Sequence, residues 1–386
     1  MKKISNLLKL LIGAVFIQSA TLSCTDKLNE PSGEVASETF QWTSISDTKS
    51  ALLGTYSLLR AAMVENNSHW MYGELRHGDF TSYSRSDLGA INTNNLKASY
   101  PLIKDLTNWR RFYAVINAAA ILIERAPEVR LKDSRYTEQN LKMDIAQARA
   151  IRAFAYFYMV RIWGDVPLIT KSFDDGSFEH RPKTDSQSVL NFAETELLSA
   201  VVDLPYFYGS SLVSYYGETN GYWRKVLFNK LTGYAVLSHI AAWQGKYINV
   251  DTYTQFIMNN YSSLGLDYIS SIGNLSGLNG VFSNNYNLGQ LLSVPAPYIY
   301  GEASATGHIE ELTLADPLIS KQRPDIYVPK DSIVRIFNDI NDTRFGIDTI
   351  SGLTRTNYFT NYSGEIPIFS KIKIIRDGVN DGSYGV

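Results

Sequence analysis

The stretch Ala148–Thr170, ARAIRAFAYFYMVRIWGDVPLIT, joins a helix body, a helix stop and the start of an extended turn in one aromatic-rich string. Leu141, Ile145, Ala148, Ala155, Tyr158 and Ile162 recur at helical spacing, which predicts a long helix buried along its length. Thr137 is placed to cap its start, and Gly164 followed by Pro167 ends it.

Outward from this helix, the chain reads as a succession of helices from Ser46 to Trp243. The first, from about Ser46 to Val64, puts Leu52, Tyr56, Leu59 and Met63 on one face. Asn108 caps a second, with Trp109, Phe112, Tyr113, Ile116, Ala120 and Ile123 in a stripe and Pro127 after its end. Asp185 or Ser186 opens a helix with Val189, Phe192, Leu197 and Val201 inward, closed before Pro205. A further helix is expected from roughly Gly221 to Trp243, with Leu227, Leu231, Tyr234 and Ala241 inward and Gly245 near its stop. The helices begin about 30 to 46 residues apart, a spacing that fits stacked helical hairpins of the tetratricopeptide kind. Small residues at Ala118–Ala120 and Ala241–Ala242 permit close helix approach. From Leu264 onward Gly, Asn, Ser and Pro become dense, and Gln290–Pro295 and Pro367–Ile375 read as short strands between loops.

The N-terminus has its own logic. Met1–Lys3 is basic, Leu10–Ile17 is apolar and Ser19–Ser23 is small and polar, the pattern of a signal peptide over residues 1–23. Cys24 is the single cysteine and follows Ser23, where a lipoprotein signal peptidase leaves an acylated residue, although Thr21 stands where Leu is usual. One cysteine excludes an intramolecular disulfide. Residues 24–40, which include TDKLNEPSGE, read as the lipidated Cys and a polar tether, and residues 41–386 as the folded domain. Within it, 41–263 is the helical scaffold and 264–386 the loop-rich part. No other stretch approaches the ~18 apolar residues a spanning helix needs, and an acylated Cys24 is physically sufficient as an anchor without one.

Composition narrows the function classes. Among 386 residues, 45% are hydrophobic and 19% charged, enough for a large core, and a net charge of −2 with no dense Lys/Arg cluster argues against nucleic acid. The five histidines have no metal-ligand spacing, and neither a Gly-x-Ser-x-Gly elbow nor a phosphate-cradling glycine loop occurs. No metal and no cofactor is expected. Asp339, Asn341 and Thr343 have the look of a calcium loop but lack its sixth-position glycine. Asp174–Asp175 and Glu310–Glu311 are candidate acid pairs only in the sense that any loop carboxylates are.

Aromatic residues are the outlier at 12%, with 25 Tyr. They concentrate first in Trp70–Asn95, with Trp70, Tyr72, Tyr83, Arg85, Asp87 and Asn94, a stretch too polar for a core helix. A ring face stacks on the C–H side of a pyranose while Asn, Asp and Arg bond its hydroxyls, so the pattern suits carbohydrate. The plainer alternative is that Trp70 and Tyr72 seal the first helix onto the core. A second group, Tyr206, Phe207, Tyr208, Tyr215, Tyr216, Tyr222 and Trp223, reads as an exposed patch for a ligand or a protein partner. Tyr298 and Tyr300 form a weaker third.

As it stands, RAFAYFYMVRIWGDVPLI closely resembles the signature of the SusD/RagB family, lipoproteins that bind nutrients at the outer membrane of Bacteroidetes-type bacteria. TFQWTSISDTKSALLGTYSLL from Thr39, YGELRHGDF from Tyr72, NWRRFYAVINAAAILIE from Asn108 and the Leu197–Pro205 helix end fall in the family's order. The resemblance implies a mainly α, tetratricopeptide-like scaffold with long loop-rich insertions, and a chain lacking the family's usual C-terminal portion. It implies a non-catalytic surface lipoprotein, anchored through Cys24, that binds a nutrient glycan and passes it to a TonB-dependent, SusC-like transporter. It carries the ligand role to Trp70, Tyr72, Tyr83 and Arg85, with Asp87 and Asn94 beside them, and offers Tyr215, Tyr216, Tyr222 and Trp223 to ligand or transporter. A peptide-binding, RagB-like lipoprotein, a protein-interaction scaffold and a glycoside hydrolase are the alternatives.

Overall fold

The computed structural model describes residues 41–64, 70–173, 180–208, 215–218, 223–264, 289–293, 306–347, 350 and 354–372. Cys24 and the leader and tether of residues 1–40 lie outside the described residues, as do Tyr222, Tyr298, Tyr300, Asp174 and Asp175.

The scaffold begins with α1 (Ile45–Val64), whose first turn is closed by the Asp47 carboxylate accepting from the Thr43 and Ser44 amides at 2.9 and 2.8 Å. Three short helices follow: α2 (Trp70–His77), then, after β1 (Thr81–Ser82), α3 (Ser86–Asn92) and α4 (Pro101–Leu106). The ladder resumes with α5 (Arg110–Lys132), α6 (Glu138–Trp163), α7 (Ser186–Asp203), α8 (Lys230–Trp243) and α9 (Tyr247–Asn260). Each long helix packs on the next in chain order, α1 on α5, α5 on α6, α6 on α7, α7 on α8 and α8 on α9. The fold is thus mainly α, a stack of helical hairpins of the tetratricopeptide kind. No helix among the described residues is long and apolar enough to cross a membrane.

α6 is the spine. The Thr137 hydroxyl caps it by accepting from the Asn140 amide, and Gly164 stops it at φ +73°, a left-handed conformation that suits glycine. It is flanked by α5 and α7 and also touches α1 and α8, so residues on every side are buried, including Asp144, Gln147 and Arg152. A helix apolar all round belongs in a core, and polar side chains there must find partners. Arg152 finds Glu196 of α7 and the Thr170 carbonyl.

Four expectations are corrected. α5 does not end before Pro127 but runs through it to Lys132: burying Ala126 and Val129 offsets the backbone bond that Pro127 cannot make. α8 starts at Lys230 rather than near Gly221, because the Asn229 side chain caps it by accepting from the Thr232 amide at 2.9 Å. Gly233 lets α8 approach α7 closely, since a Cβ there would stand 2.5 Å from Val201. α9 was not anticipated; only Tyr253 of its side chains is buried, so its apolar period is faint. The Trp70–Asn95 stretch is largely helical rather than loop, with Met71, Tyr72 and Leu75 of α2 and Leu88, Ala90 and Ile91 of α3 inward.

Beyond the ladder lie α10 (Ile309–Thr313), β2 (Ile326–Tyr327), α11 (Lys330–Ile336), β3 (Gly346–Ile347), β4 (Thr354–Arg355), β5 (Phe359–Thr360) and β6 (Ile368–Phe369). β3 pairs with β4 and β5 with β6, both antiparallel, around a cluster of Phe337, Phe345, Phe359 and Phe369 with edge-on ring contacts. The strand expected within Pro367–Ile375 is β6; Gln290–Ser293 forms none. β2 reaches back across the chain to pair antiparallel with β1, matching Thr81 to Tyr327 and Ser82 to Ile326. This pairing welds the distal part to the α2–α4 insertion.

Candidate functional site

The six residues singled out in Trp70–Asn95 separate into three places. Trp70 is half-buried and its indole N–H donates to the Gly307 carbonyl at 2.8 Å. Tyr72 is 7% exposed, with the Arg76 guanidinium 5.2 Å from its ring centroid. Both join the apolar cluster of α2, α3 and α4 that also receives Ile162 of α6, so they seal the insertion onto the spine. Asn94 occupies a left-handed turn at φ +57° and accepts from Arg76 Nε at 3.1 Å.

Tyr83, Arg85 and Asp87 are the group that the fold brings together at the surface. Tyr83 follows β1 and its ring is 41% exposed. The Arg323 guanidinium lies 4.6 Å from the ring centroid and donates to the phenol oxygen, which holds the ring in one orientation. Arg85 forks onto Asp87 with Nε to Oδ1 at 3.1 Å and Nη2 to Oδ2 at 2.7 Å, and its Nη1 stands 3.9 Å from Asp325. Burial pushes the Asp87 carboxyl up, but the hydrogen bonds and charge of Arg85 outweigh it and hold the carboxyl below its ordinary range. Asp325 also receives Lys321 Nζ at 2.8 Å, and the same ammonium donates to the Glu311 carbonyl. Burial raises the Glu311 carboxyl, opposed by Lys321. The result is a fixed ring beside alternating cations and carboxylates, a surface that can stack on an apolar face and bond hydroxyls around it.

Arg323, Asp325 and Lys321 went unseen in the sequence. Arg323 is 240 residues from Tyr83, and nothing local in TLADPLISKQRPDIY marks it. Only the β1–β2 pairing, with the Tyr83 amide donating to the Asp325 carbonyl at 3.2 Å, brings the two together.

The second aromatic group is not the exposed patch expected. Tyr215 and Trp223 are each 1% exposed, Tyr208 is buried and Tyr216 is half-buried, packed against apolar residues of α1, α5 and α6. The reason lies on α6. The Asp144 carboxylate accepts from the hydroxyls of Tyr136, at 2.5 Å, Tyr215 and Tyr216. Gln147, one turn on, joins Tyr56, Tyr208 and the Phe228 backbone. The Trp223 indole donates to the Tyr215 carbonyl at 2.9 Å. Two buried polar side chains on the spine thus collect the hydroxyls of the loop and draw its rings inward. Phe207 stays 42% exposed, over a hollow of about 20 Å³ beside Tyr206, room for about one water. A wider hollow of about 760 Å³ runs between α1 and α5, past Ala51, Leu58, Ala118 and Ile121, away from every candidate residue.

A ladder of helical hairpins with an exposed ring and ion pairs on its insertions is a repeat-scaffold protein, and insertions on such a scaffold are where binding residues tend to lie. A SusD superfamily protein of Bacteroides thetaiotaomicron VPI-5482 is 50% identical and superposes with a TM-score of 0.74 over 89% of this chain and 73% of that one. SusD-like protein P38 of Formosa agariphila is 30% identical over 188 residues, 47% of this chain and 34% of that relative. A laminarin-binding SusD-like protein, 17% identical, shares the fold with a TM-score of 0.60 over 86% of this chain and 72% of its own. No family model matches the chain. The chain belongs to the SusD superfamily. It spans about a third of the length of P38 and 37% of SusD-like protein P25 from the same organism.

Proposed function

We propose that the protein is a surface lipoprotein that binds a nutrient glycan without altering it and passes it to a TonB-dependent, SusC-like transporter. The observation that carries this reading is the Tyr83 ring, exposed in a superfamily fold and held by Arg323 beside Arg85 and Asp87. Membership of the superfamily and the laminarin-binding neighbour support a saccharide as the ligand class. The phenol supplies a stacking face, and the Arg85–Asp87–Asp325 chain supplies donors and acceptors that are already oriented, so little side-chain freedom is lost on binding. Acylation of Cys24 anchors the domain at the outer membrane, with residues 25–40 as tether.

Calorimetric titration of the unacylated Cys24→Ser chain with a panel of oligosaccharides and peptides tests the reading. Heat from a glycan whose affinity falls about tenfold in Tyr83→Ala supports it. Heat from peptides alone, or glycan heat that Tyr83→Ala leaves unchanged, overturns the ligand class or its place.

A further inference from the structure

A second exposed ring is braced by a guanidinium, at some remove from Tyr83. Trp243, the last residue of α8, is 54% exposed, although an indole has much apolar area to lose to water. Arg161, in the last turn of α6, stands 5.5 Å from the Trp243 ring centroid and 5.5 Å from that of the buried Phe157, so two rings fix the place of the cation. His239, one turn before Trp243 on α8, lies within reach of the same charge. Partial burial and Arg161 lower its pKa below the usual histidine value, which leaves it a neutral donor and acceptor near neutral pH. The turn behind the indole is pinned to α7: Gln244 Nε2 donates to Asn191 at 2.9 Å and Lys246 Nζ to Glu194 at 2.6 Å.

Among the described residues no carboxylate stands within ion-pairing distance of Arg161, nor of Arg323 at Tyr83, whereas Arg85, Arg135, Arg152 and Arg344 each have one. Attraction to the carbonyl end of α6 accounts for a cation in its last turn, but not for the wet indole laid against it. We propose that Trp243 and Arg161 form a second saccharide platform, taking a sugar that carries an anionic group, a carboxylate or a sulfate ester. The indole stacks on the C–H face of the sugar while the guanidinium bonds the anion. This deepens the glycan reading of Tyr83 and rests on it. The insertion that carries Tyr83 packs on Ile162 and Trp163, the residues directly after Arg161, so both platforms belong to the C-terminal end of α6. An acidic chain crossing that end meets a ring with a guanidinium twice, Tyr83 with Arg323 and Trp243 with Arg161.

Two matched pairs of probes test this: oligogalacturonate with its methyl ester, and a sulfated laminari-oligosaccharide with its unsulfated parent. In calorimetric titration of the unacylated Cys24→Ser chain, one acidic probe is expected to bind about tenfold tighter than its neutral counterpart, less so as salt rises, and the pair that responds tells carboxylate from sulfate. Arg161→Gln is expected to lower that preference about threefold, the share of one of two guanidinia. Trp243→Ala is expected to weaken the acidic probe about tenfold and Trp243→Tyr to restore most of the loss. Both side chains are exposed, so the variants keep the fold. Acidic probes that bind no tighter than neutral ones, silence from all four probes, or binding that Trp243→Ala and Arg161→Gln leave unchanged overturns the platform. Where Tyr83→Ala alone weakens a glycan, the reading of Tyr83 stands and this one falls; where Trp243→Ala weakens it and Tyr83→Ala does not, the reverse holds.

Discussion

The two aromatic groups of this chain have similar composition and opposite fates. Around Tyr83 a phenol stays at the surface because its hydroxyl meets a surface guanidinium, Arg323, that is itself in water. Around Tyr215 the rings turn inward because their hydroxyls meet Asp144 and Gln147, which the spine helix has already buried. A tyrosine is apolar over most of its area, so the partner of its one polar atom decides on which side of the surface it comes to rest. Ring density in a sequence therefore says little about exposure until the polar residues facing the rings are known.

The difference can be broken at its strongest point first. Asp144→Ala leaves the buried hydroxyls of Tyr136 and Tyr215 without their acceptor, Tyr216 keeping Thr48, and is expected to cost about 3 kcal/mol, read as a lowered denaturant midpoint. Gln147→Leu keeps the volume but leaves the buried Tyr56 hydroxyl without its acceptor, while Tyr208 still donates to the Phe228 carbonyl, with an expected loss of about 2 kcal/mol in the same unfolding curve. Tyr215→Phe removes a single buried hydroxyl while Asp144 keeps two donors, and about 1 kcal/mol is expected. Tyr83→Ala sits at the other end: thermal unfolding is expected to shift by no more than the equivalent of about 0.5 kcal/mol, while glycan affinity falls about tenfold. A Tyr83→Ala chain that unfolds as readily as Asp144→Ala would erase the distinction between the two groups.

How far these outcomes were legible in the sequence follows from range. Elements set by neighbours in the chain were readable: the Thr137 cap, the Gly164 stop and the Asp185 cap act within one turn of their helices. Those that depend on tertiary offsets were not. Pro127 is tolerated because Val129 packs beyond it, and α9 is held by α8 rather than by its own apolar stripe. For the candidate site, Tyr83, Arg85 and Asp87 were found because they are close in sequence and chemically mixed. Trp70 and Tyr72 shared that stretch but turned inward, since α2 places them on its buried side. Arg323 carried no local mark, and neither did Asp144 within MDIAQAR, whose partners Tyr215 and Tyr216 come from the loop after α7.

The β1–β2 pair sets an order of assembly. The ladder is made of contacts between helices close in the chain, which form quickly and in any sequence of events. The Tyr83–Arg323 contact instead closes a loop of 240 residues, and its entropic cost falls due only after the scaffold has shortened the distance between the two strands. A nascent chain released before β2 could complete the helical stack and still hold no ring in place. In this protein the surface proposed to meet the ligand exists only once two distant parts of the chain have met.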